Sequence, residues 1–210
     1  MRKTYDDFDW DTYTSTNYEK QLIATTTQHT IIVKSSQDEE FNESFANLHP
    51  NWKEIYYQIH KLGVKSVFEC GCGCAMHLIN IDTLYPEVSV AGCDYAQSQI
   101  DLGYKYLNLE DYNFNHKVVQ KDMTNDSGIE EMGTHEFVYT QAVTMHLEHS
   151  KAVSFLKNMG RLSNKYIFLI ENYNSHDYDS LLTEALPDFE RLKNDNQYVP
   201  NSAYLLRKKK

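Results

Sequence analysis

From residue 64 onward the chain alternates short apolar runs with stretches of helical periodicity. "VKSVFEC" (64–70) is an apolar run ending in a glycine turn, and "AMHLINIDTLY" (75–85) reads as a helix stopped by Pro86. "VSVAGCD" (88–94) is a second buried strand, followed by a helix over "SQIDLGYKYLNL" (98–109) with Ile100, Tyr104 and Leu107 on one face. "HKVVQKD" (116–122) and "HEFVYTQ" (135–141) read as the third and fourth strands. A helix over "KAVSFLKNMGRL" (151–162) then leads to a fifth strand, "KYIFLIENY" (165–173). "FERLKN" (189–194) and "AYLLRK" (203–208) are suited to pairing as an antiparallel hairpin. Strands that alternate with helices imply a mostly parallel sheet with helices on both faces, an α/β Rossmann-like architecture of seven strands.

Residues 1–60 have a different texture, polar and rich in tyrosine. "NWKEIYYQIHKL" (51–62) places Trp52, Ile55, Tyr56, Ile59 and Leu62 at helical spacing. The chain therefore divides into an N-terminal helical and loop extension, 1–60, and an α/β domain, 61–210. No internal repeat separates them.

Composition narrows the classes. With 41% apolar and 13% aromatic residues in 210, the chain can bury a substantial core. A formal charge of −10 argues against a large polyanionic partner such as nucleic acid, and the terminal "RKKK" is too short to reverse that. No apolar run has the length of a membrane span and the start lacks a signal-peptide core, so a cytoplasmic protein with reduced thiols is expected.

In open parallel sheets, ligands bind beyond the carboxyl ends of the strands. Those ends carry Glu69 to Ala75, Cys93 to Tyr95, Asp122 and Met123, Gln141 to His146, and Glu171 to Tyr173. Gly71 and Gly73 let backbone come close to a bound molecule. Asp94, 23 residues after Gly71, can accept hydrogen bonds from both hydroxyls of a ribose. Asp122 can accept from an adenine amino group, and Met123 offers a backbone N–H and an apolar surface.

"VFECGCGCAMHL", "VAGCDYAQSQI", "VVQKDM" and "FVYTQAVTMHL" resemble the successive motifs of class I S-adenosylmethionine-dependent methyltransferases, over about residues 64–172. The third glycine of the family's E-x-G-x-G-x-G pattern is Ala75 here. Within the family, "YTQAVTMHLEHSKAV" and "NKYIFLIENYN" resemble methylases associated with pseudaminic acid and other surface-sugar pathways. The resemblance implies S-adenosyl-L-methionine as cofactor. Glu69, Gly71 and Gly73 would shape its methionine pocket, Asp94 would hold the ribose and Tyr95 would lie against the adenine. Asp122 and Met123 would read the adenine edge, and the Gln141–Ala142 backbone would meet the methionine amino group. The N-terminal segment would close as a lid, with Trp10, Tyr13 and Tyr18 as its candidate residues.

Cys70, Cys72 and Cys74 alternate along the glycine turn, whereas structural zinc sites use wider gaps within each ligand pair. They are read as small apolar fillers and no metal is expected. A hydroxyl acceptor needs help in losing its proton, which suits a histidine. His146, just past the fourth strand, is the candidate base; the competing reading makes it a structural hydrogen-bonding residue. His149, Glu171, Tyr173 and Tyr18 are further candidates for the acceptor site, although His149 is equally an exposed residue at a helix start. Three function classes stay open: transfer to a small molecule such as a sugar, transfer to a macromolecule, and cofactor binding without methyl transfer.

Overall fold

In the computed structural model the apolar runs form β1 (Ser66–Cys70), β2 (Ser89–Asp94), β3 (Val119–Gln120), β4 (His135–Gln141), β5 (Ser163–Ile170), β6 (Phe189–Arg191) and β7 (Ala203–Lys208). The structure describes residues 9–20, 48–109, 118–171, 174–193, 196–199 and 203–210. The strands make one sheet in the order β3-β2-β1-β4-β5-β7-β6. Neighbours from β3 through β5 pair in parallel, while β7 lies antiparallel to both β5 and β6. The predicted α/β architecture and its C-terminal antiparallel strand are both present.

Strand parity explains why both faces are covered. In β4, Phe137 and Tyr139 point into one apolar cluster and Val138 into the other; in β5, Phe168 and Ile170 alternate with Ile167 and Leu169 in the same way. The first face is packed by α2 (Pro50–Leu62), α3 (Met76–Leu84) and α4 (Gln97–Leu107). The second is packed by α5 (His149–Leu162) and α6 (Tyr178–Ala185). A short α1 (Trp10–Tyr13), continued by a π-helical turn to Tyr18, rests against α4. Glu19 fastens this segment, accepting from Lys105 Nζ at 2.8 Å and from the Tyr106 hydroxyl at 2.6 Å.

Local chemistry sets several boundaries. Pro50 opens α2, His49 Nδ1 accepts from the Asn51 N–H, and Gly63 ends the helix in the left-handed conformation. Ile55, Tyr56 and Ile59 of α2 are essentially inaccessible. This helix spans residue 60 and belongs to the layer covering the sheet.

Two elements differ from the sequence expectation. β3 is only two residues long and lies at the sheet edge, so Asp122 sits in the turn beyond it. α5 begins at His149 rather than Lys151 and passes directly into β5.

Candidate functional site

The loop after β1 folds over the end of β2. Gly71 and Cys72 both donate their N–H to the Cys93 carbonyl, at 2.8 and 2.9 Å. Three residues of this loop take positive φ: Gly71 at 80°, Gly73 at 55° and Ala75 at 64°. The alanine thus adopts a left-handed backbone, although its Cβ makes that conformation costly. Gly92 and Gly103 do related work that the sequence reading did not single out. A Cβ on Gly103 would stand 2.6 Å from the Cys74 carbonyl oxygen, and one on Gly92 2.9 Å from Leu78 Cδ1. Their lack of side chains lets α4 and β2 close on the loop.

The four cysteines are buried and outside any disulfide, with Cys70 and Cys93 facing each other across the β1–β2 register. Burial pushes the Cys70 and Cys72 thiols well above their ordinary range. Among the described residues, no group of three His, Cys, Asp or Glu side chains is arranged to hold a metal ion.

Acidic groups stand around this loop. Asp94 Oδ2 accepts from the Gly73 N–H at 2.7 Å and Oδ1 from the Ala96 N–H at 2.8 Å. Burial raises its pKa even so, against the pull of those backbone donors. Tyr95 follows, 60% exposed with its ring free of the core. Asp122 Oδ1 accepts from the Thr124 N–H and hydroxyl at 2.8 and 2.7 Å, forming a tight turn. The Met123 side chain is buried in that turn, and its carbonyl accepts from Asn158 Nδ2 of α5 at 3.0 Å. Glu69 is 1% exposed, and its Oε2 has no hydrogen-bond partner. Burial raises its pKa to about 8; the Asp94 charge adds to the shift and the Tyr139 hydroxyl opposes it.

After β4 the chain turns sharply at Ala142, with φ at 56°, and continues through a 3₁₀ turn, Thr144–His146. Glu171 holds this turn from below. Its Oε1 accepts from the N–H groups of Val143 and Thr144, both at 3.1 Å, and its Oε2 from Met145 at 3.2 Å. His176 Nε2 stands 2.9 Å from the Thr144 carbonyl, and the Thr144 and Tyr178 hydroxyls are 3.1 Å apart. Burial lifts the Glu171 pKa to about 7, less than it would without the three backbone donors.

These loops enclose a cavity of about 550 Å³ above the ends of β1 to β4. Glu69, Gly71, Gly73, Asp94, Tyr95, Asp122, Met123, Gln141, Ala142 and His146 all contribute to its wall. Trp10 and Tyr13 of the N-terminal segment line it as well, and Trp10 packs edge-on against the His146 ring at 5.8 Å. Two of the acceptor-site candidates point elsewhere. His149 opens α5 on the outer surface with its Nε2 2.9 Å from Glu184 Oε2, and Glu171 is committed to the backbone of the turn it supports. Tyr173 and the side chain of Tyr18 lie outside the described residues.

The cavity also contains Trp52 and His77, which the sequence reading did not assign to the site. Trp52 lies on the apolar stripe of α2, where its helical spacing alone was noted. His77 follows the left-handed Ala75 by two residues, and that proximity to the glycine loop was the available signal. Enclosure of its ring lowers the His77 pKa to about 4, with the Gln141 side chain pulling slightly upward.

No protein-family model matches the chain, and no curated protein does. Solved structures match its fold. Magnesium protoporphyrin IX methyltransferase from Synechocystis PCC 6803, crystallised with bound S-adenosylmethionine, superposes with a TM-score of 0.60 over 97% of this chain and 98% of its own, at 12% identity. An amino pentose methyltransferase from Micromonospora echinaspora, also with the cofactor bound, gives 0.58 over 83% and 98%, at 11% identity. The methyltransferase domain of bacterial CtHen1 gives 0.58 over 76% and 97%, also at 11% identity. The chain has the fold of these S-adenosylmethionine-dependent methyltransferases.

Proposed function

We propose that the protein is an S-adenosylmethionine-dependent methyltransferase that methylates a hydroxyl group of a small molecule, such as a sugar. The observation that carries this reading is the orphaned Oε2 of buried Glu69, set in one cavity with Asp94 and the turn after β4. A buried carboxyl oxygen without a partner is costly unless a donor arrives, and a cationic donor holds it as the carboxylate. The α-ammonium of the methionine moiety is such a donor, and the residues around it fit the rest of the cofactor. Asp94 would hold the ribose and Tyr95 would lie against the adenine. Asp122 and Met123 would meet the adenine edge, and Gln141–Ala142 would lie along the methionine. The fold shared with cofactor-bound methyltransferases supports the same assignment.

The cofactor supplies a methyl group activated by a sulfonium. The protein's part is alignment and proton removal. In this reading, His146 would accept the proton that the acceptor hydroxyl loses as its oxygen takes the methyl carbon, the carbon–sulfur bond breaking to leave a neutral thioether. Trp10 and Tyr13, at the cavity wall, exclude water from the transfer. The concave cavity and the net charge of −10 favour a small acceptor over a nucleic acid.

Calorimetric titration with S-adenosylhomocysteine tests the cofactor site, and a wild type that does not bind it would refute the reading. Mass spectrometry of metabolite extracts incubated with methyl-labelled cofactor tests transfer. His146→Ala should lower turnover by about 10²–10⁴-fold with cofactor affinity nearly unchanged. Normal turnover in the variant would remove His146 from the mechanism.

A further inference from the structure

Both tryptophans of the chain, Trp10 and Trp52, line the same cavity, and each stands edge-on to a histidine. The ring centroids of Trp52 and His77 are 4.8 Å apart, and those of Trp10 and His146 5.8 Å. The strand order separates these pairs from two carboxylates of the cleft. His77 follows β1 and His146 follows β4, neighbours at the centre of the sheet, whereas Asp94 and Asp122 follow β2 and β3 toward one edge. The cavity thus has a carboxylate half, with Asp94 and Asp122 toward the edge, and a central aromatic half that holds both tryptophan–histidine pairs and borders Glu69 at the end of β1. Its two lysines go with the carboxylate half. Lys121 precedes Asp122 with its Nζ on the Ser127 carbonyl, and Lys151 lies one helical turn before Phe155, which shares a core cluster with Met123.

What lies behind His77 fixes the character of its outer edge. Asn80 Nδ2 donates to the Tyr56 hydroxyl oxygen at 2.9 Å, and that hydroxyl stands 3.0 Å from His77 Nδ1. Tyr56 and Asn80 are fully buried, so the phenolic proton goes to Nδ1 and the imidazole proton is assigned to Nε2. The ring meets the cleft beside Gln141 as a fixed N–H donor, and its lowered pKa keeps it neutral at physiological pH.

We infer that the aromatic half is the acceptor subsite and that it takes an uncharged ring bearing at least two oxygens. The flat face of the ring packs on an indole, and one oxygen accepts from His77 Nε2–H. The hydroxyl to be methylated donates to His146. This rests on the methyltransferase reading and gives it a substrate class. It also sets phosphorylated acceptors at a disadvantage. The described wall of this half has no lysine or arginine, and a dianion there would face indoles and a neutral imidazole.

Tryptophan fluorescence of the protein saturated with S-adenosylhomocysteine provides the test. Catechol and methyl α-D-glucopyranoside represent the aromatic and sugar sources of a neutral ring, with phenol as the single-oxygen control. Phenyl phosphate and glucose 6-phosphate are the charged counterparts. At least one neutral ring should bind, and its phosphorylated counterpart should bind at least roughly tenfold more weakly. Trp52→Leu should weaken both neutral probes. If catechol is the ring bound, Tyr56→Phe should weaken it roughly tenfold and leave phenol unchanged, because only the second oxygen uses His77. Equal losses for phenol and catechol would make His77 merely structural and overturn the two-oxygen assignment. Phosphorylated probes that bind as tightly as neutral ones would overturn the inference. So would the absence of any ring binding in protein that retains S-adenosylhomocysteine, which leaves the cofactor reading standing. Failure to bind S-adenosylhomocysteine would overturn both. Its retention by Trp52→Leu and Tyr56→Phe certifies that each variant is folded.

Discussion

Glu69 is the side chain whose chemistry the cleft constrains most. With its pKa raised to about 8, mainly by burial, the carboxyl is largely protonated at neutral pH. An ammonium group can be held there only by the ionised form, so binding must expel a proton. Cofactor affinity is therefore expected to rise with pH up to about 8 and then level off. Calorimetry at pH 7 in buffers of different ionisation enthalpy should report proton release on binding of S-adenosylhomocysteine. Glu69→Gln should abolish both the release and the pH dependence. Affinity that does not vary with pH in the wild type would mean that Glu69 stays neutral and meets no cation.

Contacts between elements set the shape of the site. A Cβ on Gly71 would come within 2.4 Å of Val143 Cγ2, so the loops after β1 and β4 are in contact across the cleft. Gly71 also has a φ of 80°. Gly71→Ala should destabilise the protein by about 1–3 kcal/mol through clash and strain together. Adding Val143→Ala should recover only the clash, and a double-mutant cycle by chemical denaturation would read that share as a coupling energy. No coupling would mean that the two loops yield independently.

Glu171 works at the same scale, through its link to the turn after β4. Its pKa rises from an ordinary 4.5 to about 7 in the fold, so between those values the native state holds a proton that the unfolded chain has released. Its contribution to stability falls as pH rises through that window and is constant above it. Glu171→Gln carries no such dependence. The melting temperature of the variant should therefore gain on the wild type from about pH 5 to pH 7, as differential scanning calorimetry can follow. A constant difference would show that the carboxyl does not titrate there.

The whole molecule shows where the sequence was readable. Continuous apolar runs gave the central strands because both faces of the sheet are buried, and such runs leave little ambiguity in a parallel core. Phe137 to Thr140 and Ile167 to Ile170 are fully enclosed for that reason. β3 was overread because edge residues need no apolar partner, and Gln120 is exposed. Within the site, Gly71, Gly73 and Asp94 were visible through fixed spacing along the chain. Glu171 was singled out by its place at a strand end, but its hold on the turn after β4 was not legible, since its partners are backbone N–H groups 26 to 28 residues away, which no side-chain pattern records. His77 and Trp52 were missed because their neighbours come from separate elements that meet only in the fold.

The position of β7 has a consequence for how the protein is made. β5 ends at Ile170, but its antiparallel partner begins only at Ala203, and β6 reaches the sheet solely through that later strand. A nascent chain that has emerged as far as residue 190 carries β5 with one row of backbone donors and acceptors unpaired and apolar, and such an edge recruits other chains. Synthesis thus passes through a window in which the rest of the parallel sheet can assemble but cannot be sealed. A chain ending at residue 202 freezes that window. It should accumulate in the insoluble fraction, while supplying residues 203–210 as a separate peptide during refolding should return part of it to solution. A truncated chain that remains soluble and monomeric would show that the β5 edge is protected by other means.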